Sequence, residues 1–415
     1  MLPQVKTPIL KLEKYQRIIS NKLFEEIKDL AENLKGLNVI MVNSTPRGGG
    51  VAEILKSLVP LMKGVGIEAE WYTIPPREDF FKITKEIHNA LQGKEYILPF
   101  WHRVRYLQHI ENSAFLMRDM KADIWVIHDP QPAGVILYLP RFHPSICRLH
   151  IDLTSPDQET WNFFAGFLRM YDKIILTSKE YIKKEIKEKT VVFPPAIDPL
   201  TVKNQPPKNN FSKEILKSYG IDPLCPLISQ VSRFDPWKGF PELIEAYYLA
   251  KRKIPNLQLA LVGFFLARDD LEAMKVYKFI RKKTNTDPNI FLFSDLQMLG
   301  SLKVDEFVNA IQMASNLILQ NSTREGFGLS ATEAMWKAKA VIGGRVGGIK
   351  LQIQDGKNGF LASNPQELAK RIIQLIKNPQ LVKKLGEAAR ETVREKFLMP
   401  RLLRDYLKLF KELVS

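Results

Sequence analysis

A chain of 415 residues with 45% hydrophobic and 26% charged residues has the composition of a globular protein and is too long for one core, which predicts two or three domains. No apolar run approaches a membrane span, Cys147 and Cys225 alone cannot build a disulfide framework or structural zinc site, and the start M-L-P-Q-V-K-T-P has no signal-peptide core, so an unexported, cytoplasmic protein without stable membrane insertion is expected. The net charge of +16 raises nucleic acid as a partner, but lysines alternate with glutamates, as in residues 179–189 (K-E-Y-I-K-K-E-I-K-E-K), which predicts a solvated helix face rather than a polyanion stripe.

Residues 9–36 carry a helical pattern ended by Gly36 and are expected to form a packing helix. Residues 37–42 (L-N-V-I-M-V) form a buried-type strand, followed by a glycine loop at Gly48, Gly49 and Gly50 and a helical run over 51–62. Further strands are expected at 69–74, 124–128, 146–151 and 173–177, with helices between, which is the alternation of a parallel α/β layer. From 191 to 210 the chain turns rich in proline and asparagine and reads as an interdomain connection. A second α/β half follows, with strands at 227–231, 257–262, 290–293, 317–320 and 340–343. The last helices run from about 365 to 415 and include an amphipathic segment at 402–413.

The segment E-G-F-G-L-S-A-T-E, from Glu325 to Glu333, follows the strand at 317–320 and opens a helix. Amides at a helix start are unpaired and favour anions or hydroxyls, Gly326 and Gly328 let the main chain approach a ligand, and the two glutamates accept hydroxyl protons. A capped surface loop is the plainer reading. After the first strand of this half come Arg233 and Lys238, at the edge where open α/β sheets bind ligands; a guanidinium fork and a point charge suit a pyrophosphate, while two surface cations are the alternative. The triple glycine matches neither a dinucleotide fingerprint nor a P-loop, and a ligand-free tight turn explains it equally well. In the first half, W-V-I-H-D-P (His128, Asp129) and L-H-I-D (His150, Asp152) each end a strand in a histidine near a carboxylate, which serves either sugar hydroxyls or the core.

Taken in order, the glycine loop, His150, the Arg233/Lys238 pair and the Glu325-to-Glu333 block resemble the retaining nucleotide-sugar glycosyltransferases of family 4. The segments V-N-S-T-P-R-G-G-G-V-A-E, R-L-H-I-D-L-T-S-P and Q-V-S-R-F-D-P-W-K-G-F are similar to those of its trehalose synthases, relatives of the fungal trehalose phosphorylases. The resemblance implies a GT-B α/β fold: two facing Rossmann-like domains with a cleft between them. The N-terminal domain, on the acceptor side, would span residues 1–200 with its helical extension, the nucleotide-sugar domain 201–398, and a C-terminal helix, 399–415, would return to the first.

It also implies roles. Arg233 and Lys238 would sit on the pyrophosphate, Gly49 and Gly50 against donor phosphates, and His150 near the donor's C6 hydroxyl. Glu325, Gly326, Phe327, Gly328, Leu329 and Ser330 would hold donor hydroxyls and phosphate, Glu333 the ribose, and Asp129 the acceptor glucose. The substrates implied are a nucleotide-activated glucose, ADP- or UDP-glucose, and free glucose, with no metal or other cofactor. The nucleobase, held near residues 295–299, is not readable. A trehalose phosphorylase, a family 4 transferase with a lipid or polysaccharide acceptor, and a sugar- or nucleic-acid-binding protein on the same fold remain alternatives. A homodimer is the base-rate expectation.

Overall fold

The computed structural model describes residues 1–207, 211–264 and 271–415, so the last part of the proline- and asparagine-rich connection, 208–210, lies outside the described residues. The chain divides into two compact units, Met1–Ala196 with Phe397–Ser415, and Ile197–Lys396.

The first unit holds six parallel strands: β1 (Asn38–Asn43), β2 (Glu68–Thr73), β3 (Ile124–His128), β4 (Ser145–Arg148), β5 (Lys173–Leu176) and β6 (Thr190–Val192), in the order β2-β1-β3-β4-β5-β6. Helices cover both faces, so the central strands are continuous apolar runs; every residue of β3 is buried. The order reverses direction between β1 and β3, and the carboxyl ends of those two strands flank the crevice that such a switch creates.

Only Asn21–Glu32 of the helix expected over 9–36 is α-helical. A 3-10 turn occupies Leu12–Tyr15, and Ser20, with extended φ −70° and ψ 147°, breaks the run and caps the helix by accepting the Leu23 N–H. The preceding residues run extended along the open edge of β2: Val5 N–H donates to Trp71 O at 2.8 Å and Thr73 N–H to Pro3 O at 2.9 Å, which covers an otherwise unpaired edge. Residues 179–189 form two 3-10 turns, Lys179–Tyr181 and Lys184–Lys189, instead of one helix face. Tyr181 and Ile186 are both buried, and a five-residue spacing places such anchors about 140° apart on a helix, wider than an apolar stripe of about 100°. The expected strand at 146–151 ends at Arg148, because the His150 N–H turns away to a side chain of the neighbouring loop.

The helix Met399–Val414 belongs to this unit and packs on the helices Asn21–Glu32 and Gly50–Gly64. Leu402, Leu403, Tyr406, Leu407 and Phe410 form its fully buried face. Arg401 donates to the carbonyls of Pro194 (2.7 Å) and Pro195 (3.0 Å), and Lys408 pairs with Glu26 at 2.6 Å.

The second unit repeats the architecture with β7 (Leu227–Val231), β8 (Gln258–Val262), β9 (Ile290–Phe293), β10 (Leu317–Gln320), β11 (Ala340–Gly344) and β12 (Phe360–Ala362), all parallel, in the order β12-β11-β10-β7-β8-β9. This is the Rossmann order, with its switch between β7 and β10. The three-residue strands β6 and β12 were not expected from the sequence; each sits at a sheet edge and is too short to show a period.

Candidate functional site

The second unit's switch point is built from the loops after β7 and β10. After β7, Asp235 accepts the Trp237 N–H at 3.0 Å and caps the 3-10 turn Pro236–Lys238, and Gly239 follows at φ +58° before the helix Phe240–Lys251. A Cβ on Gly239 would lie 2.0 Å from the Asn321 carbonyl oxygen, so glycine is what lets the two loops touch. Gln230, at the end of β7, ties them: its Nε2 donates to Lys238 O at 2.9 Å while its Oε1 accepts the Asn321 N–H at 2.8 Å.

On this frame Lys238 Nζ meets Glu325 Oε2 at 2.6 Å, with the two side chains only 14% and 12% exposed. The same carboxylate oxygen accepts Ser322 Oγ at 2.9 Å and Gln320 Nε2 at 3.1 Å. A charge this enclosed needs such partners, since desolvation without them costs several kcal/mol. Arg233 is disposed differently: its side chain is 59% exposed and pairs with Asp235 Oδ2 at 3.1 Å, leaving most of its planar fork open to solvent.

Gly328 adopts φ +90° and begins the helix Leu329–Trp336. A Cβ there would meet Ile349 Cδ1 at 2.7 Å and Glu325 Cγ at 3.3 Å. Behind it Gly348 backs directly onto the main chain, where a Cβ would stand 2.2 Å from Phe327 Cα and 2.5 Å from Gly326 O. Gln352 Nε2 donates to Phe327 O at 2.5 Å, and Gln312 Nε2 to Ser330 O at 3.2 Å. Carbonyls are therefore pinned behind the loop. The Phe327 side chain is buried in the unit, so only its backbone is available to a ligand, whereas Leu329 and Ser330 are half-buried.

Glu333, one turn into the helix, is 5% exposed and pairs with Lys203 Nζ at 3.1 Å. Lys337, on the next turn, donates to Gln312 Oε1 at 2.7 Å; burial pushes its ammonium down to about 8 despite the opposing pull of Glu333. The 3-10 turn Leu296–Leu299, capped by Asp295, follows β9 at the same sheet edge.

In the first unit the loop after β1 is organised by Asn43, whose Nδ2 donates to Thr45 O at 2.8 Å while its Oδ1 accepts Trp71 Nε1–H at 2.7 Å. Gly48 and Gly49 take φ +73° and +84°, and Gly49 and Gly50 lie exposed at the start of the helix Gly50–Gly64. Beyond β3, Asp129 holds φ 69° and ψ 169°, a region that L side chains rarely occupy and that costs of order 1–3 kcal/mol. Two hydrogen bonds impose it: the Asp129 N–H donates to Arg148 O, and its Oδ1 accepts the His150 N–H, both at 2.8 Å.

Burial raises the Asp129 carboxyl to about 7, against the His150 amide and the Arg148 guanidinium, which favour the anion. His128 Nδ1 and His150 Nε2 are 3.1 Å apart with stacked rings. Burial first, then Arg148, holds both imidazoles well below the usual range, so they are neutral and share one N–H between them. Arg148 is itself buried, donating to Tyr406 OH at 2.8 Å and Phe193 O at 3.3 Å. Of the other histidines, His109 stacks on Phe80 from the helix Phe100–Met117, and His143 pairs with Asp172 just ahead of β4 and β5, at the opposite ends of those strands from these loops.

The structure thus brings Lys238 to Glu325, Asp129 to His150, and both glycine-led helix starts to switch points. Sequence reasoning missed Lys203, Lys337, Gln230, Gln320, Ser322 and Arg148. Gln320 and Ser322 are close enough to Glu325 in sequence to have been found, but nothing local pairs Lys203 with Glu333. Among the described residues no group of three or more histidines, cysteines and carboxylates is placed to hold a metal ion, and no helix is long and apolar enough to cross a membrane.

Residues 41–183 match the family described as "Trehalose synthase, N-terminal domain", and residues 211–392 match "Glycosyl transferases group 1". The fold resembles that of sucrose-phosphate synthase from Thermosynechococcus elongatus, with a TM-score of 0.70 at 18% identity over 91% of this chain and 99% of that one. Fold and sequence together define a glycosyltransferase of the GT-B class. A trehalose synthase of Pyrococcus horikoshii is 44% identical over 407 residues, 97% of this chain and 96% of that protein, and one of Rubrobacter xylanophilus is 38% identical over the full length of both. The chain belongs to the trehalose synthase family and is a trehalose-related glycosyltransferase. A trehalose phosphorylase of Pleurotus pulmonarius is more distant, 28% identical, and the chain spans 58% of its length.

Proposed function

We propose that the protein transfers glucose from a nucleotide-activated donor, ADP- or UDP-glucose, to free glucose and forms α,α-trehalose with retention at the donor's anomeric carbon. The observation that carries this reading is the enclosed Lys238–Glu325 pair beside the glycine-led helix start at the β7/β10 switch, in a chain of the trehalose synthase family.

The bond from the anomeric carbon to the leaving phosphate breaks, leaving an oxocarbenium-like sugar and a nucleoside diphosphate. The acceptor's 1-hydroxyl oxygen bonds to that carbon on the same face, and its proton passes to the departing phosphate. Lys238, the fork of Arg233 and the amides from Gly326 to Ser330 neutralise the developing phosphate charge, while Gly49 and Gly50 let the donor phosphates come close. Glu325 fixes donor-sugar hydroxyls, His150 the C6 hydroxyl, Glu333 the ribose and Asp129 the acceptor. The fixed cations do the work that a divalent ion does elsewhere, so turnover should survive EDTA; abolished turnover would remove this part of the reading.

The test is incubation with ADP-glucose or UDP-glucose plus glucose, with the disaccharide and its anomeric linkages resolved by NMR. Trehalose is expected, with turnover lower by about two orders of magnitude in Arg233→Ala and Glu325→Ala. Phosphate-dependent cleavage of trehalose without nucleotide-sugar turnover would instead move the activity to phosphorolysis, the reaction named for the more distant fungal relative.

A further inference from the structure

Glu333 does not stand alone at the foot of its helix. Its Oε1 is 3.1 Å from Lys203 Nζ, and the two side chains are 7% and 16% exposed. Lys203 comes from a segment far away in sequence, the 3-10 turn Val202–Asn204, close to the start of the second unit. Three side chains staple that turn in place. Asn309 Nδ2 donates to Val202 O at 2.9 Å and to Gln205 O at 2.7 Å, Trp336 Nε1 donates to Asn204 O at 3.2 Å, and Asn204 Nδ2 returns to Asp198 O at 2.9 Å. Asn309 lies on the helix Val304–Ala314, and Trp336 on the same helix as Glu333. A flexible lysine on a loose connection would need no such framework. Here the ammonium reaches Glu333 Oε1 from a turn clamped on both sides.

We propose that Lys203 is a positioning residue for the donor nucleotide, orienting the Glu333 carboxylate so that its second oxygen faces the ribose hydroxyls. This rests on the reading of Glu333 as the ribose ligand. A glutamate carboxylate with three rotatable bonds behind it samples several orientations; an ammonium fixed at one oxygen selects one of them before the ligand arrives, and the ordering cost of binding falls accordingly. The lysine also balances charge, so a buried anion does not face an incoming diphosphate uncompensated. Lys337, also close to Glu333, directs its ammonium to Gln312 Oε1 at 2.7 Å and to the Glu333 carbonyl oxygen at 3.4 Å.

The experiment is calorimetric titration of ADP, UDP and glucose 1-phosphate into the full-length protein and into Lys203→Met, Lys203→Arg and Glu333→Gln, with donor and acceptor KM and kcat measured in parallel. Lys203→Met should weaken the nucleoside diphosphate about tenfold, raise the donor KM by a similar factor and leave kcat and glucose 1-phosphate binding near the parent values. Lys203→Arg should restore most of the affinity, which a purely structural role for the turn would not predict. Unchanged or tighter nucleotide binding in Lys203→Met, alongside weakened binding in Glu333→Gln, overturns the proposal and leaves the ribose role of Glu333 intact. Glu333→Gln binding ADP and UDP as tightly as the parent overturns that role and the proposal together. Equal weakening of glucose 1-phosphate in Lys203→Met also overturns it, because the effect then lies outside the ribose.

Discussion

Lys238 Nζ and Glu325 Oε2 stand 2.6 Å apart, joined across 87 residues of sequence by the loops that follow β7 and β10. Each keeps the other from being a lone charge in a nearly closed site, so the pair behaves as a unit. Lys238→Met and Glu325→Gln should each destabilise by about 3 kcal/mol, the low end for a broken enclosed pair, because Ser322 and Gln320 still serve Glu325 when the lysine is gone. The double variant should cost less than the sum. Urea unfolding of all four proteins checks this, and strict additivity would mean the two groups are energetically independent.

Glycine-to-alanine changes separate strain from collision. At Gly49 nothing lies within 4 Å of an added Cβ, so only the backbone strain at φ +84° and ψ 161° opposes the change, about 1–3 kcal/mol. At Gly348 the added carbon lies 2.2 Å from the Phe327 Cα, and the Glu325-to-Glu333 loop must move. Gly348→Ala should therefore lose both stability and donor affinity, while Gly49→Ala should keep most of its stability. Thermal unfolding with nucleotide titration of each variant distinguishes the two.

Asp129 gives a pH signature. Its folded-state pKa, about 7, lies above the ordinary 3.8, so the stability it contributes is complete below the ordinary value and is lost as pH rises through about 7. His128 and His150, held down by burial, work in the opposite sense, contributing stability at neutral pH that is lost on acidification. Asp129→Asn keeps an oxygen for the His150 amide but has no carboxyl to ionise. The parent should lose stability relative to this variant between about pH 4 and 8, and denaturation midpoints across that range measure it. If the carboxylate is the form that orients the acceptor, kcat/KM for glucose should rise with pH through about 7 in the parent.

How much of this was legible depends on what each residue's neighbours are. Ten of the twelve strands among the described residues coincide with segments that read as strands in the sequence, and the loops after β7 and β10 are written in local motifs such as S-R-F-D-P-W-K-G. The strand-to-helix order alone puts Arg233, Lys238 and the Glu325-to-Glu333 block just after strands, at the edge where open sheets bind ligands. What the sequence hid is non-local. The edge strands β6 and β12 are defined by their partners rather than by their own three residues. The break at Ser20 is set by a cap within a pattern that otherwise looks continuous. Lys203 looks like any lysine in a polar connection until Asn309 and Trp336 are seen to hold its turn against Glu333.

Tyr406→Phe tests the seam between Arg148 and the last helix. The hydroxyl that accepts Arg148 Nη1 at 2.8 Å is lost, while the ring beneath the guanidinium, 5.3 Å from its centroid, remains. Removing a hydrogen bond to a buried charge should cost about 1.5–3 kcal/mol. Amide exchange should then quicken along Met399–Val414 more than in β8 or β10, which belong to the other unit. Uniform quickening throughout both units would show that the seam has no local effect.

The return of Phe397–Ser415 to the first unit also sets a timetable for synthesis. Residues Met1–Ala196 leave the ribosome first, yet the surface of the helices Asn21–Glu32 and Gly50–Gly64 that receives Met399–Val414 stays bare until all of Ile197–Lys396 has been made, roughly 10–40 s later at ~5–20 residues per second. During that interval the nascent chain carries an apolar seat for Leu402, Leu403, Tyr406, Leu407 and Phe410 with no occupant. The later unit, an uninterrupted stretch, can close on itself while the earlier one waits.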